Sequence, residues 1–130
     1  MREKTKNDIN NLSTDALAYL GDAYFTLFCR QLVLSCHNAK PHRLNSLVTQ
    51  FVNAHAQSEF LEKITPILTE DEANIVRRAR NSPTTTKSKN YGLADYKRAT
   101  SFEALIGYLY LLDTKRLNQV LKAVFEGVDI

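Results

Sequence analysis

The stretch Ala104-Leu105-Ile106-Gly107-Tyr108-Leu109-Tyr110-Leu111-Leu112 carries no charge, so a helix built from it is apolar on every side and must be central and buried. Immediately before it, Thr100-Ser101-Phe102-Glu103 has the Thr-x-x-Glu spacing of a capping box, which predicts that the helix opens there. A buried helix needs amphipathic partners, and the chain supplies them on both sides. Ser13 and Thr14 offer N-caps for a helix over 14–34 with Leu17, Leu20, Tyr24, Leu27 and Phe28 on one face. Pro41 suits the first turn of a second helix, whose stripe is Leu44, Leu47, Val48, Phe51 and Val52, and a shorter helix is expected around Glu59–Ile64. Thr69-Glu70-Asp71-Glu72 is a second capping box, opening a helix that runs to the cluster Arg77–Arg80. Thr114 can cap a last helix with Leu117, Val120, Leu121, Val124 and Phe125 on one face, stopped by Gly127.

These elements predict an all-α fold of helices joined by short loops, with one basic, non-periodic loop near 81–93. Composition agrees. The 130 residues include four Gly, three Pro and no Trp, which removes most of the punctuation a many-stranded sheet needs. With 44% hydrophobic residues, the length suits a single domain over 1–130, with residues 1–11 expected to be a flexible N-terminus. Cys29 and Cys36 show no zinc or disulfide spacing, and there is no apolar run of signal-peptide or membrane-spanning length. A soluble, cytoplasmic protein without a membrane partner is expected.

Charge is unevenly distributed. Residues 77–98 hold seven cations against the single anion Asp95, a local +6 in a chain of net +3, so the remaining residues sum to −3. Such a segment is suited to meeting a polyanion, and its candidate contacts are Arg77, Arg78, Arg80, Asn81, Lys87, Lys89, Lys97 and Arg98. The competing reading is a merely solvated charged face.

Two carboxylates stand out. Gly21-Asp22 falls in mid-helix, where Gly costs roughly 1 kcal/mol and Asp is a poor helix former. At 100° per residue Asp22 lies opposite the first helix's apolar stripe, beside Ala18, Phe25, Thr26 and Cys29, which places a carboxylate in a mostly apolar setting. Glu103 is the sole charge between Phe102 and Leu112. Both helices carry a Gly, at 21 and 107, which permits a close crossing that brings the two acids to one cleft. An acid pair of this kind is neutralised by a proton, a cationic side chain or a divalent cation, and oxygen-only ligands point to magnesium or manganese. The alternatives are that Glu103 only completes a capping box, and that Asp22 is a solvated residue or marks a turn. His37, His42 and His55 lack metal-ligand spacing and receive no role, and Tyr108 and Tyr110 are read as core.

Ala16-Leu17-Ala18-Tyr19-Leu20-Gly21-Asp22-Ala23 resembles the signature helix of the ribonuclease III family, which reads Leu-Glu-Phe-Leu-Gly-Asp-Ala, and Phe102-Glu103-Ala104-Leu105-Ile106-Gly107 resembles its second acidic motif. Ala18 and Thr100 stand where two family acids would be, a departure that resembles the Mini-ribonuclease III branch, as do Ala54-His55-Ala56-Gln57 and Arg78-Ala79-Arg80-Asn81. The resemblance implies a homodimeric, magnesium-dependent endoribonuclease fold. It implies cleavage of double-stranded RNA to 5′-phosphate and 3′-hydroxyl ends, and maturation of large-subunit (23S) ribosomal RNA precursor. Asp22 and Glu103 would be catalytic and metal-binding, with manganese as a substitute ion, and Tyr19 would lie at the dimer interface. The sequence names no ribosomal-protein helper. Two other classes compete: a non-catalytic RNA-binding or ribosome-associated helical module, which would bind without cutting, and a helical adaptor for a protein partner, which would show no salt-dependent RNA affinity.

Overall fold

Ten residues of α6 precede Glu103, because the helix begins at Leu93 rather than at the expected capping box. The computed structural model describes residues 1–83 and 92–130. Among these the chain forms α1 (Lys6–Asn10), α2 (Thr14–Cys36), α3 (Pro41–Thr49), α4 (Ala54–Ile64), a 3-10 turn (Thr65–Ile67), α5 (Glu70–Asn81), α6 (Leu93–Leu112) and α7 (Thr114–Val124), with no strand. Gly92, at φ 109° in the left-handed region, makes the turn into α6. Thr100 and Ser101 are therefore interior residues, and their hydroxyls donate back to the carbonyls of Tyr96 (3.0 Å) and Lys97 (2.8 Å). Hydroxyls that cap accept from the backbone; these donate, which settles them inside the helix.

The all-round apolar stretch is central, as its pattern requires. Phe102, Ala104, Leu105 and Ile106 are fully sealed, and α2, α4 and α5 pack on α6. Phe25 of α2 meets Phe102 edge-on at 5.0 Å between ring centres, and Phe60 and Phe125 complete an aromatic cluster. The buried face of α2 is Leu17, Ala18, Gly21, Phe25, Cys29 and Val33; Tyr24 and Phe28 are half-buried and Leu27 is exposed. The buried stripe is thus rotated from the expected one, because α2 must present Gly21 to α6.

Other boundaries also differ. α4 starts five residues before the expected Glu59, its amide ends capped by the Asn53 side chain, which accepts from Ala56 N at 2.9 Å. The cap of α7 is Asp113, with Thr114 as the first helical residue. Phe51 and Val52 lie beyond the end of α3, though Phe51 is buried. Residues 1–11, expected to be flexible, contain α1 with a complete capping box, and Ile9 is in the core. The Thr69 box forms as predicted, and its Glu72 is also gripped by Arg116 (2.9 Å to each oxygen), which also donates to the Ile67 carbonyl. Burial alone would raise the Glu72 carboxyl, but the Arg116 and Thr69 bonds outweigh it and hold it below its ordinary value. Cys29 is sealed and Cys36 exposed, both free thiols. No helix of the described residues is long and apolar enough to cross a membrane. Residues 84–91, including Lys87 and Lys89 of the expected basic loop, lie outside the described residues.

Candidate active site

The site begins with two glycines. A Cβ on Gly21 would stand 1.7 Å from the Glu103 carbonyl oxygen, and one on Gly107 would stand 2.0 Å from the Leu17 carbonyl oxygen, so α2 and α6 touch backbone to backbone. No other residue fits either position, which explains the helix-breaking Gly in mid-α2. The crossing brings Asp22 and Glu103 into hydrogen-bonding reach of each other. Both were read from the sequence, and the structure unites them.

Their environments differ. Asp22 is solvent-exposed at the edge of the cleft, so the expected apolar setting belongs to Glu103 alone, which is partly buried. Burial, the bond with Asp22 and its charge push the Glu103 carboxyl up to about 8, against a lowering contact from Gln57. Without a cation the pair therefore holds a proton at neutral pH. Since Glu103 caps nothing, its position between the sealed Phe102 and Ala104 leaves the carboxylate pair as the reason for it.

The cleft is about 340 Å³, lined by Asp15, Ala18, Tyr19, Asp22, Tyr96, Thr100 and Glu103. Ala18 and Thr100, which stand where the resemblance would place two further acids, thus line the cleft without adding charge. Asp15 was missed by sequence reasoning, although its seven-residue spacing from Asp22 puts both on one helix face. Gln57 was missed too; it carried no signal while α4 was expected to start at Glu59. No group of three or more His, Cys, Asp or Glu among the described residues gathers as a metal cage. Two adjacent carboxylates with open solvent beside them fit magnesium, which keeps most of its water and binds through one or two carboxylates.

The candidate RNA contacts divide. Arg98 and Ser101 share a cleft of about 590 Å³ with Arg77 and Arg80, on the side of α6 opposite Tyr96, Thr100 and Glu103. Arg77 also donates to the Asn74 side chain. Arg78 donates to the carbonyls of Asn10 (3.4 Å) and Leu12 (3.2 Å), tying α5 to the α1–α2 link. Asn81 joins Arg77 and Arg78 along a groove beside Ser13 and Thr14 at the start of α2. Lys97 is half-buried on α6. Tyr19 borders the acid cleft and is 85% exposed.

Comparison with known proteins identifies the family of the chain. The model of the Ribonuclease III domain matches residues 15–114, which include both carboxylates and both crossing glycines. A Mini-ribonuclease 3 of Clostridium tetani is 40% identical over 94% of this chain and 82% of its own length. One of Brevibacillus brevis is 36% identical over 98% and 96%. A crystal structure of a Fusobacterium nucleatum protein superposes with a TM-score of 0.80 at 36% identity, covering 93% of this chain and 94% of that one. With its acid pair, its glycine crossing and relatives along nearly its full length, the chain belongs to the ribonuclease III family, in the Mini-ribonuclease III branch, and is an endoribonuclease, a phosphodiester hydrolase.

Proposed function

We propose that the protein is a magnesium-dependent endonuclease for double-stranded RNA whose catalytic residues are Asp22 and Glu103. The observation that carries this reading is the glycine-to-glycine contact of α2 and α6, which holds the two carboxyls within hydrogen-bonding reach beside an open cleft. Asp22 and Glu103 would hold the ion, manganese being a substitute, once Glu103 gives up its proton. Bound magnesium supplies charge that polarises the phosphodiester and acidifies a water. Cleavage would leave 5′-phosphate and 3′-hydroxyl ends. Duplex RNA is recognised by shape, phosphates and 2′-hydroxyls, so geometry rather than sequence should set the cut.

The substrate we infer is large-subunit (23S) ribosomal RNA precursor, met in the cytoplasm by a homodimer. Support for the dimer lies on α2, where Tyr19, Leu27 and Leu34, spaced along one face, are 85%, 54% and 59% exposed, with Tyr110 of α6 also partly exposed. Arg77, Arg80, Asn81, Lys87, Lys89, Lys97 and Arg98 would grip RNA phosphates, with Arg78 acting more as a tie between elements. The test is incubation with a long RNA duplex, with and without magnesium, for wild type and Asp22→Asn. Magnesium-dependent cutting that disappears in a folded, duplex-binding Asp22→Asn supports the reading. Cleavage by that variant at the wild-type rate rejects it.

A further inference from the structure

A recess of about 590 Å³ lies away from the carboxylates, where the end of α4, the 3-10 turn and α5 meet α6. Its size falls in the range of sites for small organic groups, roughly 300–1,000 Å³. The lining has two characters. Part of it is apolar: Leu61 is buried, and Leu68 and Val76 are half-buried. The rest includes the side chains of Arg77, Arg80 and Arg98. Arg77 donates to Asn74, whereas Arg80 and Arg98 have no hydrogen-bond or ion-pair partner among the described residues. Glu62 also borders the recess, so its lining holds three cations and one anion. A grip on duplex backbone has no use for the apolar part or for the carboxylate. Paired bases stay stacked inside the helix, so a duplex presents its phosphates as an outer row of charge, from which an apolar surface gains nothing. Glu62 would repel them, since an ionised carboxylate accepts hydrogen bonds and donates none. An unpaired nucleotide uses every kind of group present. Its phosphate pairs with guanidinium, its base lies on an apolar or guanidinium surface, and its base N–H groups or ribose hydroxyls donate to a carboxylate.

We propose that this recess binds an unpaired nucleotide of the RNA, in a single-stranded stretch flanking the duplex that the carboxylates cut. The proposal rests on the duplex-RNA reading above and adds a second contact on another face. Arg98 and Ser101 lie on the side of α6 opposite Thr100 and Glu103, so the two sites are separated by one helix, about 10–12 Å across with its side chains. A flexible single strand can turn round a helix of that width. RNA with a single-stranded flank is thereby favoured over a blunt duplex.

The test measures affinity without divalent ions, so that nothing is cut, for a blunt RNA duplex, the same duplex with a single-stranded tail, and the same duplex with a tail of abasic nucleotides. The tailed duplex should bind roughly tenfold tighter than the blunt one, within the range for one stacked base, and the abasic tail should give little of that gain. Arg98 is exposed, so Arg98→Gln leaves the core untouched. In that variant, and in Leu68→Ser, the ratio of tailed to blunt affinity should fall towards one. Arg43→Gln, on α3 and outside the recess, should keep the wild-type ratio. An equal gain from the abasic tail overturns the proposal, because phosphates alone then explain it. A wild-type ratio in folded Arg98→Gln overturns it too. Arg98-dependent binding of adenosine 5′-monophosphate, with no gain from any tail, would assign the recess to free nucleotides and likewise overturn it. If the wild-type protein binds no duplex at all, the RNA reading itself has failed; if it binds blunt and tailed duplexes alike, only the nucleotide site falls.

Discussion

Glu103 is the residue on which pH acts. Its carboxyl is raised from an ordinary 4.5 to about 8, chiefly by burial and then by Asp22, so without metal the folded protein keeps a proton that the unfolded chain releases. The sign follows: this group's contribution to stability is fully present below about 4.5 and is lost as pH rises through about 8. Urea midpoints of the metal-free protein from pH 5 to 9 should therefore fall more steeply for wild type than for Glu103→Gln. Parallel curves for the two would refute the coupling. Magnesium competes with the same proton, so cleavage should climb over that interval. Both acids were legible in the sequence, since each interrupts a helix that would be better without it. Gln57 was not: a glutamine is ordinary in a sequence, and only its burial makes it informative.

At the scale of elements, the Gly21–Gly107 contact reverses a propensity argument. Replacing a mid-helix Gly by Ala should stabilise an isolated helix by roughly 1 kcal/mol. Here the added methyl would meet carbonyl oxygens at 1.7 and 2.0 Å, atoms that move only if the helices separate. Overpacking of that kind typically costs about 1–3 kcal/mol and occasionally more, so the clash wins. Gly21→Ala and Gly107→Ala are both expected to lower the melting temperature; a rise in either would mean that the helices cross elsewhere. Helix positions along the chain were readable because apolar periodicity is strong in α5 and α7 and because Ser13 caps the long apolar α2. Starts were less so. Thr100 and Ser101 imitated a cap because the turns before them, Leu93 to Ala99, expose a polar face that periodicity reads as loop. The early start of α4 was hidden because Ala54 and His55 are exposed and only Asn53 marks it.

For the molecule as a whole, the exposed α2 face and the cationic residues give two expectations. Tyr19→Asp should convert the proposed dimer to monomers in sedimentation, because an unpaired charge buried in such a contact is strongly destabilising; a dimeric variant would move the interface elsewhere. Across a salt series, Arg80→Ala and a Lys87/Lys89 double alanine variant should bind duplex more weakly with a flatter slope, by about one unit for each phosphate no longer neutralised, while unchanged slopes would leave these residues as solvated charge. Arg78→Ala should instead show its effect in stability, through the Asn10 and Leu12 carbonyls it holds. The sequence revealed the basic segment but not that α6 separates Arg77, Arg80 and Arg98 from the acids, since a linear charge count contains no faces. The two thiols have a consequence of their own. Cys36 is open to solvent, whereas Cys29 is completely enclosed, its thiol pushed up to about 12 by burial. A thiol-specific dye should thus label one site per chain at once and the second only when the core opens. The unmodified protein carries its own clock for unfolding, with Cys36 marking time zero and Cys29 recording each breach of the interior.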